Sequence, residues 1–230
     1  SAPFRIESLF RGRELFLLMI RFITFEGGDG SGKTTQLKAI ESHLRARGKS
    51  CLSTREPGGT SLGELIRQVL LEVGKQPITS PTELFLYLAD RAQHIHEVVI
   101  PALEQGKIVL CDRHTDSTLA YQGYGRGIDL GLLRSLNHIA SQGIKPDLTL
   151  LFDCPVEIGL SRTAQRQSQT ASGRNEDRFE REKIEFHERV RAGFLELARA
   201  EPHRFRIIDA ARSAEEVGQE IKNIIDGELT

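Results

Sequence analysis

The chain has 230 residues, 39% of them hydrophobic and 27% charged, with a formal net charge of −1. That length suits one large domain whose core needs no disulfide or metal staple, and the balanced charge speaks against a general nucleic-acid binder, which carries a basic excess. Three widely spaced cysteines, Cys51, Cys111 and Cys154, exclude a disulfide framework or zinc knuckle and fit a reducing compartment, the cytoplasm.

The N-terminal run ELFLLMI is apolar and follows RGR, the order of a signal peptide, but Arg21 interrupts it and no small-residue cleavage site follows. It also falls short of the roughly 20 apolar residues that a membrane span needs. Met19 is the only methionine. Residues 1–18 are therefore expected to be an expression remnant or an upstream-start extension, and 19–230 a single domain.

From there apolar runs alternate with amphipathic stretches. IRFITFE reads as a strand, and KTTQLKAIESHLRARG as a helix closed by Gly48. KSCLSTRE is a second strand and SLGELIRQVLLEVG a second helix. The long stretch from Ser80 to Gly106 is a helix that Pro101 should bend. KIVLCDR is a strand, DLGLLRSLNHIASQG a helix, DLTLLFD a strand, and VEIGLSRTAQR and EFHERVRAGFLELARA helices. FRIIDA and SAEEVGQEIKNIID are the last strand and helix. Five apolar strands alternating with helices predict a five-stranded parallel sheet covered on both faces. The polar patch at 165–178, QRQSQTASGRNEDR, has no apolar periodicity and reads as a mobile loop.

The segment Gly27-Gly28-Asp29-Gly30-Ser31-Gly32-Lys33-Thr34 fits the phosphate-loop pattern G-x-x-x-x-G-K-[ST], with a strand before it and a helix after it. Glycines let the backbone turn its N–H groups onto phosphate oxygens, and the helix N-terminus adds its dipole. Lys33 should reach the β- and γ-phosphates of ATP, and the Thr34 hydroxyl should ligate Mg²⁺. The loop does not name the acceptor of the phosphoryl group. No N-K-x-D segment is present to read guanine, which leaves small-molecule kinases as the remaining class.

VLCDRHTDSTLAYQG, residues 109–123, resembles the signature of the thymidylate kinases, which phosphorylate dTMP to dTDP. TREPGGT (54–60), LADRAQH around Arg91, and KPDLTLLFD are similar to further motifs of that family, in the family's order, from about Ile20 to about Ile225. The resemblance implies a P-loop kinase with a mobile lid at about 165–178, ATP as co-substrate with Mg²⁺, dTMP as acceptor on the way to dTTP, and a homodimer. It places Arg113 on the acceptor phosphate and Asp112 beside Mg²⁺, with Arg55 and Pro57 lining the acceptor pocket. Arg91, Tyr87 and Thr118 would read the base, while Ser117, Tyr121 and Gln122 would lie against the nucleotide and Asp29 would face its 3′-hydroxyl. No basic residue occupies the variable positions of the loop, so the resemblance implies a lid-arginine type. Arg166 and Arg174 lead its candidates, then Arg162, with Arg178 also in the lid. A monophosphate acceptor is already largely a dianion at pH 7, its second pKa being about 6, so positioning and charge neutralisation suffice and no general base is needed. Two alternatives stay open: a deoxynucleoside kinase using Glu26 or Asp29 as a base, and a nucleotide-binding switch without turnover. His94 and His96 point apart on a helix and are not a metal pair, and His114 is pocket wall or packing.

Overall fold

A computed structural model describes residues 20–71, 78–169, 179 and 182–229. Residues 1–18, expected to be a remnant or extension, and Arg174 and Arg178 of the expected lid lie outside the described residues. Among the described residues no helix is long and apolar enough to cross a membrane.

Five strands form one sheet: β1 (Phe22–Gly27), β2 (Cys51–Arg55), β3 (Ile108–Asp112), β4 (Leu148–Asp153) and β5 (Phe205–Asp209). Their order is β2-β3-β1-β4-β5 and every pairing is parallel. The chain leaves β1 toward β2 and leaves β3 toward β4, in opposite directions, so a crevice opens over the C-terminal ends of these central strands. The helices are α1 (Lys33–Ala46), α2 (Ser61–Leu71), α3 (Ser80–His94), α4 (Ile100–Glu104), α5 (Thr115–Thr118), α6 (Leu130–Ala140), α7 (Val156–Gln169), α8 (Ile184–Ala200) and α9 (Ala214–Glu228).

Side chains alternate across β1 and feed different layers. Ile23 and Phe25 pack with Leu37, Ile40 and Leu44 of α1 and with Val217, Ile221 and Ile225 of α9. The opposite face starts apolar, with Phe22 against Ile95 and Val99, and then turns polar. The Thr24 and Thr149 hydroxyls share a hydrogen bond of 2.9 Å, and the Arg204 guanidinium donates to Thr149 and to both oxygens of Asp116. Burial leaves no water to solvate these groups, so each must find its partner inside the protein.

The long helix departs from expectation in an instructive way. It does not simply bend at Pro101. A π-helical turn, Ile95–Val99, separates α3 from α4, whose first turn holds the proline. Proline cannot supply the N–H of a continuous α-helix, and the wider turn moves the hydrogen-bond register ahead of it. A second π-helical stretch, Leu119–Gly125, follows α5. LAYQGYG carries two glycines and little apolar periodicity, so no helix is legible there from the sequence. Its helicity comes from packing on α8: a Cβ on Gly193 would lie 2.5 Å from Tyr124, and one on Gly125 would lie 2.6 Å from Phe186. The expected loop at 165–178 begins as helix, since α7 runs through Gln169; residues 170–178 lie outside the described residues.

Candidate active site

The phosphate loop joins β1 to α1 through glycines with left-handed backbone, Gly30 at φ 72° and Gly32 at φ 90°. At Gly30 the requirement is double. A Cβ there would sit 2.0 Å from the Gly159 carbonyl of α7, so the loop rests directly on that helix. Gly32 caps α1 without a side-chain hydrogen bond, and the first turn of α1 carries no acid. That leaves unneutralised N–H groups at a helix N-terminus, an arrangement that attracts anions. Ser31 Oγ donates to the Gly28 carbonyl at 2.9 Å.

Lys33 is folded back into its own loop, its Nζ donating to the carbonyls of Gly27 (3.1 Å) and Gly28 (2.6 Å) and to Ser31 Oγ. Burial, and then repulsion from Arg113, lower its pKa to about 8, although Asp112, Asp29 and Glu26 oppose the shift. Thr34 Oγ1 donates to Asp112 Oδ2 at 2.7 Å, so the hydroxyl and carboxylate expected beside Mg²⁺ meet at the end of the loop. This hard-oxygen pair suits Mg²⁺.

Arg113 follows β3 at φ 70°, an unusual conformation for a non-glycine residue. Its guanidinium donates to the Gly27 carbonyl (3.0 Å), Asp29 Oδ1 (2.6 Å), Ser117 Oγ (3.2 Å) and the Tyr121 hydroxyl (3.1 Å), and it lies 5.0 Å from the centroid of the Tyr121 ring. Burial pushes the Asp29 carboxyl up, but Arg113, Lys33 and His187 outweigh it and hold it below the usual range. Tyr121 also donates to Asp29 Oδ2.

Beyond Arg113 lies an open cavity, with about 590 Å³ of empty space that includes solvent at its mouth. Asp29, Pro57, Tyr87, Arg91, Arg113, Ser117, Thr118, Tyr121 and Gln122 all line it. Of the residues expected around the acceptor, Arg55 alone does not. β2 is an edge strand, and Arg55 turns outward to Glu64 of α2, with both carboxylate oxygens at 2.9 Å. Arg67 and Phe179, absent from the expected set, line the cavity instead. Arg67 donates to the Pro57 carbonyl at 3.0 Å, and the Phe179 ring meets Tyr121 edge-on with centroids 5.6 Å apart. The one cation on α2, just after the EPGG turn, was a usable signal for Arg67. Phe179 had none, lying at the margin of an unpatterned polar stretch.

Arg91 lines the cavity but is 1% exposed. Its Nε donates to Glu56, Nη1 to Thr118 and Asn137, and Nη2 to the His114 carbonyl. Only one Nη2 hydrogen remains for a base carbonyl. Glu56 Oε1 also meets Nδ1 of His94 (2.9 Å) and of His114 (3.0 Å). Burial would raise Glu56, but His114 and Arg91 hold it well below the carboxylate range. Burial keeps His114 below its ordinary value despite Glu56. The consistent picture is an ionised Glu56 paired with Arg91 and bonded by a neutral His114 imidazole. Glu56, His94 and Cys111 bring ligating atoms together, but Glu56 and His94 are spent in this network and burial pushes the Cys111 thiol well up. His96 is exposed, so the two histidines do point apart. Gln122 donates to Glu83 at 2.8 Å.

On the other side of the loop, Arg162 of α7 donates to the carbonyls of Ala210 (2.7 Å) and Ala211 (3.3 Å), beside the turn into α9. These bonds tie α7 to the segment between β5 and α9. Arg166 is exposed on α7. A second cavity, of about 440 Å³, lies between Gly27–Asp29, the end of β4, α7 and α8, with His187 and the Asp153–Arg191 pair in its wall.

The family model for thymidylate kinase matches residues 25–221. A thymidylate kinase of Desulfovibrio desulfuricans is 52% identical over 208 residues, covering 90% of this chain and 96% of the relative. One of Pelobacter propionicus is 53% identical over 200 residues, covering 87% and 91%. The crystal structure of thymidylate kinase from Ehrlichia chaffeensis superposes with a TM-score of 0.70 at 36% identity, covering 89% of this chain and 98% of that one.

Proposed function

The chain belongs to the thymidylate kinase family, and on that premise we propose a division of labour within its crevice. The reaction is transfer of the γ-phosphoryl group of ATP to dTMP, giving dTDP and ADP. The phosphate loop takes the ATP phosphates. The cavity beyond Arg113 takes dTMP, with the monophosphate toward Arg113 and the base toward Tyr87, Thr118 and the remaining Arg91 hydrogen. The observation that carries this reading is the shared wall. Asp29 belongs to the loop and lines the cavity, and Arg113 bridges the two through Gly27 and Asp29. A nucleotide on each side would thus bring donor and acceptor phosphates together at one guanidinium.

Catalysis under this reading is positioning and charge neutralisation. Lys33 leaves the Gly27 and Gly28 carbonyls for phosphate oxygens, and the incoming negative charge restores the proton affinity that burial lowers. The Arg113 guanidinium would hold the acceptor dianion, since its planar fork of donors suits two phosphate oxygens at once. Thr34 and Asp112 would hold Mg²⁺, which neutralises phosphate charge when bound. The lid arginines Arg166 and Arg174 remain our candidates for a further cation on the transferring group. A hydroxyl acceptor would need a free carboxylate base, but Glu26 is bound to the 113–117 turn and Asp29 to Arg113 and Tyr121.

We also propose a homodimer. Leu62, Leu65 and Val69 lie exposed on α2 at helical spacing, with Phe85 exposed on α3 and Leu132 and Ile139 on α6. α2 packs on α3 and α3 on α6, and exposed apolar residues gathered on neighbouring helices favour association. Three free thiols, two of them buried, support a reducing compartment such as the cytoplasm. A coupled assay offering ATP with dTMP, dUMP, UMP, CMP, AMP or thymidine tests the central assignment. dTMP should be the best acceptor, dUMP weaker and UMP poor. Faster phosphorylation of UMP or thymidine contradicts it.

A further inference from the structure

Glu26 stands at the C-terminal end of β1 and is completely buried. None of the chemistry above uses it. Its Oε1 accepts the N–H of His114 at 2.7 Å and of Ser117 at 3.2 Å, and its Oε2 accepts the Ser117 hydroxyl at 2.6 Å. The Ser117 oxygen in turn accepts from Arg113 Nη1 at 3.2 Å. Arg113 is held at φ 70°, and a strained residue of this kind persists only where its surroundings over-determine it. Glu26 grips the chain on both sides of the turn that follows Arg113.

We propose that Glu26 is a positioning residue for the acceptor phosphate: its carboxylate clamps the 113–117 turn and turns the Ser117 hydroxyl so that an oxygen lone pair meets Arg113. The proposal rests on Arg113 being the cation of the dTMP phosphate.

The ionised form is the one that does this. A carboxylate only accepts hydrogen bonds, whereas a carboxylic acid also donates one. Two backbone N–H groups already occupy Oε1, so an added proton goes to Oε2 and faces the Ser117 oxygen. The serine proton must then swing away, and the negative charge that faces Arg113 is lost. Several groups surround Glu26. Asp116 of α5, itself paired with Arg204, repels its charge; Arg113 attracts it; Lys33 of α1 and the Cys111 thiol of β3 also feel it. Burial first, and then Asp116, raise Glu26 to about 7, against the pull of Ser117, Arg113 and the His114 N–H.

Glu26→Gln keeps the shape and puts a permanent donor where the protonated acid would have one. Calorimetric titration of dTMP without ATP, from pH 5.5 to 8.5, compares the two proteins. Their affinity ratio at each pH cancels the ionisation of dTMP itself, whose second pKa is about 6. Wild type should bind roughly tenfold more tightly at pH 8.5, the scale of a hydrogen bond to a charged group, and the advantage should vanish by pH 5.5. The KM for ATP should change by less than about twofold, within the effect of losing uniform binding to one substrate alone. A purely structural Glu26 predicts a constant ratio and a lower Tm for the variant. The proposal predicts no loss of Tm at pH 8. A carboxyl whose folded pKa is raised contributes stability below its unfolded value, near 4.5, and loses it as pH rises through about 7. If Glu26→Gln does not fold, Ser117→Ala serves. It removes a bond that favours the carboxylate, so the acid limb of dTMP binding should move to higher pH, and an unmoved limb overturns the proposal. A pH-independent affinity ratio overturns it as well. Failure of wild type to bind dTMP at any pH overturns instead the assignment of the acceptor on which it rests.

Discussion

The two sides of β1 differ in what they are made of and in what they do. Ile23 and Phe25 face a layer of aliphatic side chains from α1 and α9, where the free energy is non-directional and scales with area removed from water. Thr24 and Glu26 face a layer of hydroxyls, carboxylates and arginines in which almost every atom has a specified partner. Such a layer adds little net stability but fixes geometry, because any shift leaves a buried polar atom unpaired. The apolar side holds the sheet together, and the polar side sets where Arg113 stands over the crevice.

Paired variants can break this contrast. The largest effect is expected from Phe25→Ala, which opens a cavity in the apolar layer and should cost about 3–5 kcal/mol of stability. Thermal or urea unfolding reads it, and the KM for dTMP of the protein that remains folded should stay near wild type. A large change in KM at unchanged stability would erase the distinction. Lys33→Ala should lower kcat about 100- to 1,000-fold, the scale of one lost donor to developing charge, while Tm holds or rises because a buried ammonium is removed. Full activity in the folded variant would remove Lys33 from the phosphate site. Arg55→Ala is expected to do least. Its ion pair with Glu64 is about half exposed and is worth about 0–1 kcal/mol, and its side chain lies outside the cavity. A tenfold rise in the KM for dTMP would return Arg55 to the acceptor site.

The apolar side was the more legible one in the sequence. Buried parallel strands print as continuous apolar runs, so IRFITFE, KIVLCDR and DLTLLFD stood out, and the glycine pattern marked the phosphate loop because few backbones can make that turn. The polar side was only half legible. Arg113 and Ser117 were named by resemblance and Glu26 only as the base of an alternative, while Asp116 and Arg204 were not singled out; their pairings depend on contacts far apart in sequence, such as Glu26 with Ser117 and Asp116 with Arg204. The direction of Arg55 was illegible for the same reason: a strand-end arginine looks alike whether it turns into a crevice or out to Glu64. The two π-helical turns left no trace in periodicity, since both arise from packing and from a proline that local pattern does not resolve.

The most direct test is to locate dTMP in a crystal of its complex with this protein. The account predicts a phosphate within hydrogen-bonding distance of Arg113 and a thymine ring between Tyr87, Arg91 and Phe179. A nucleotide found instead in the cavity between the phosphate loop and α8, against His187 and Arg191, would contradict it.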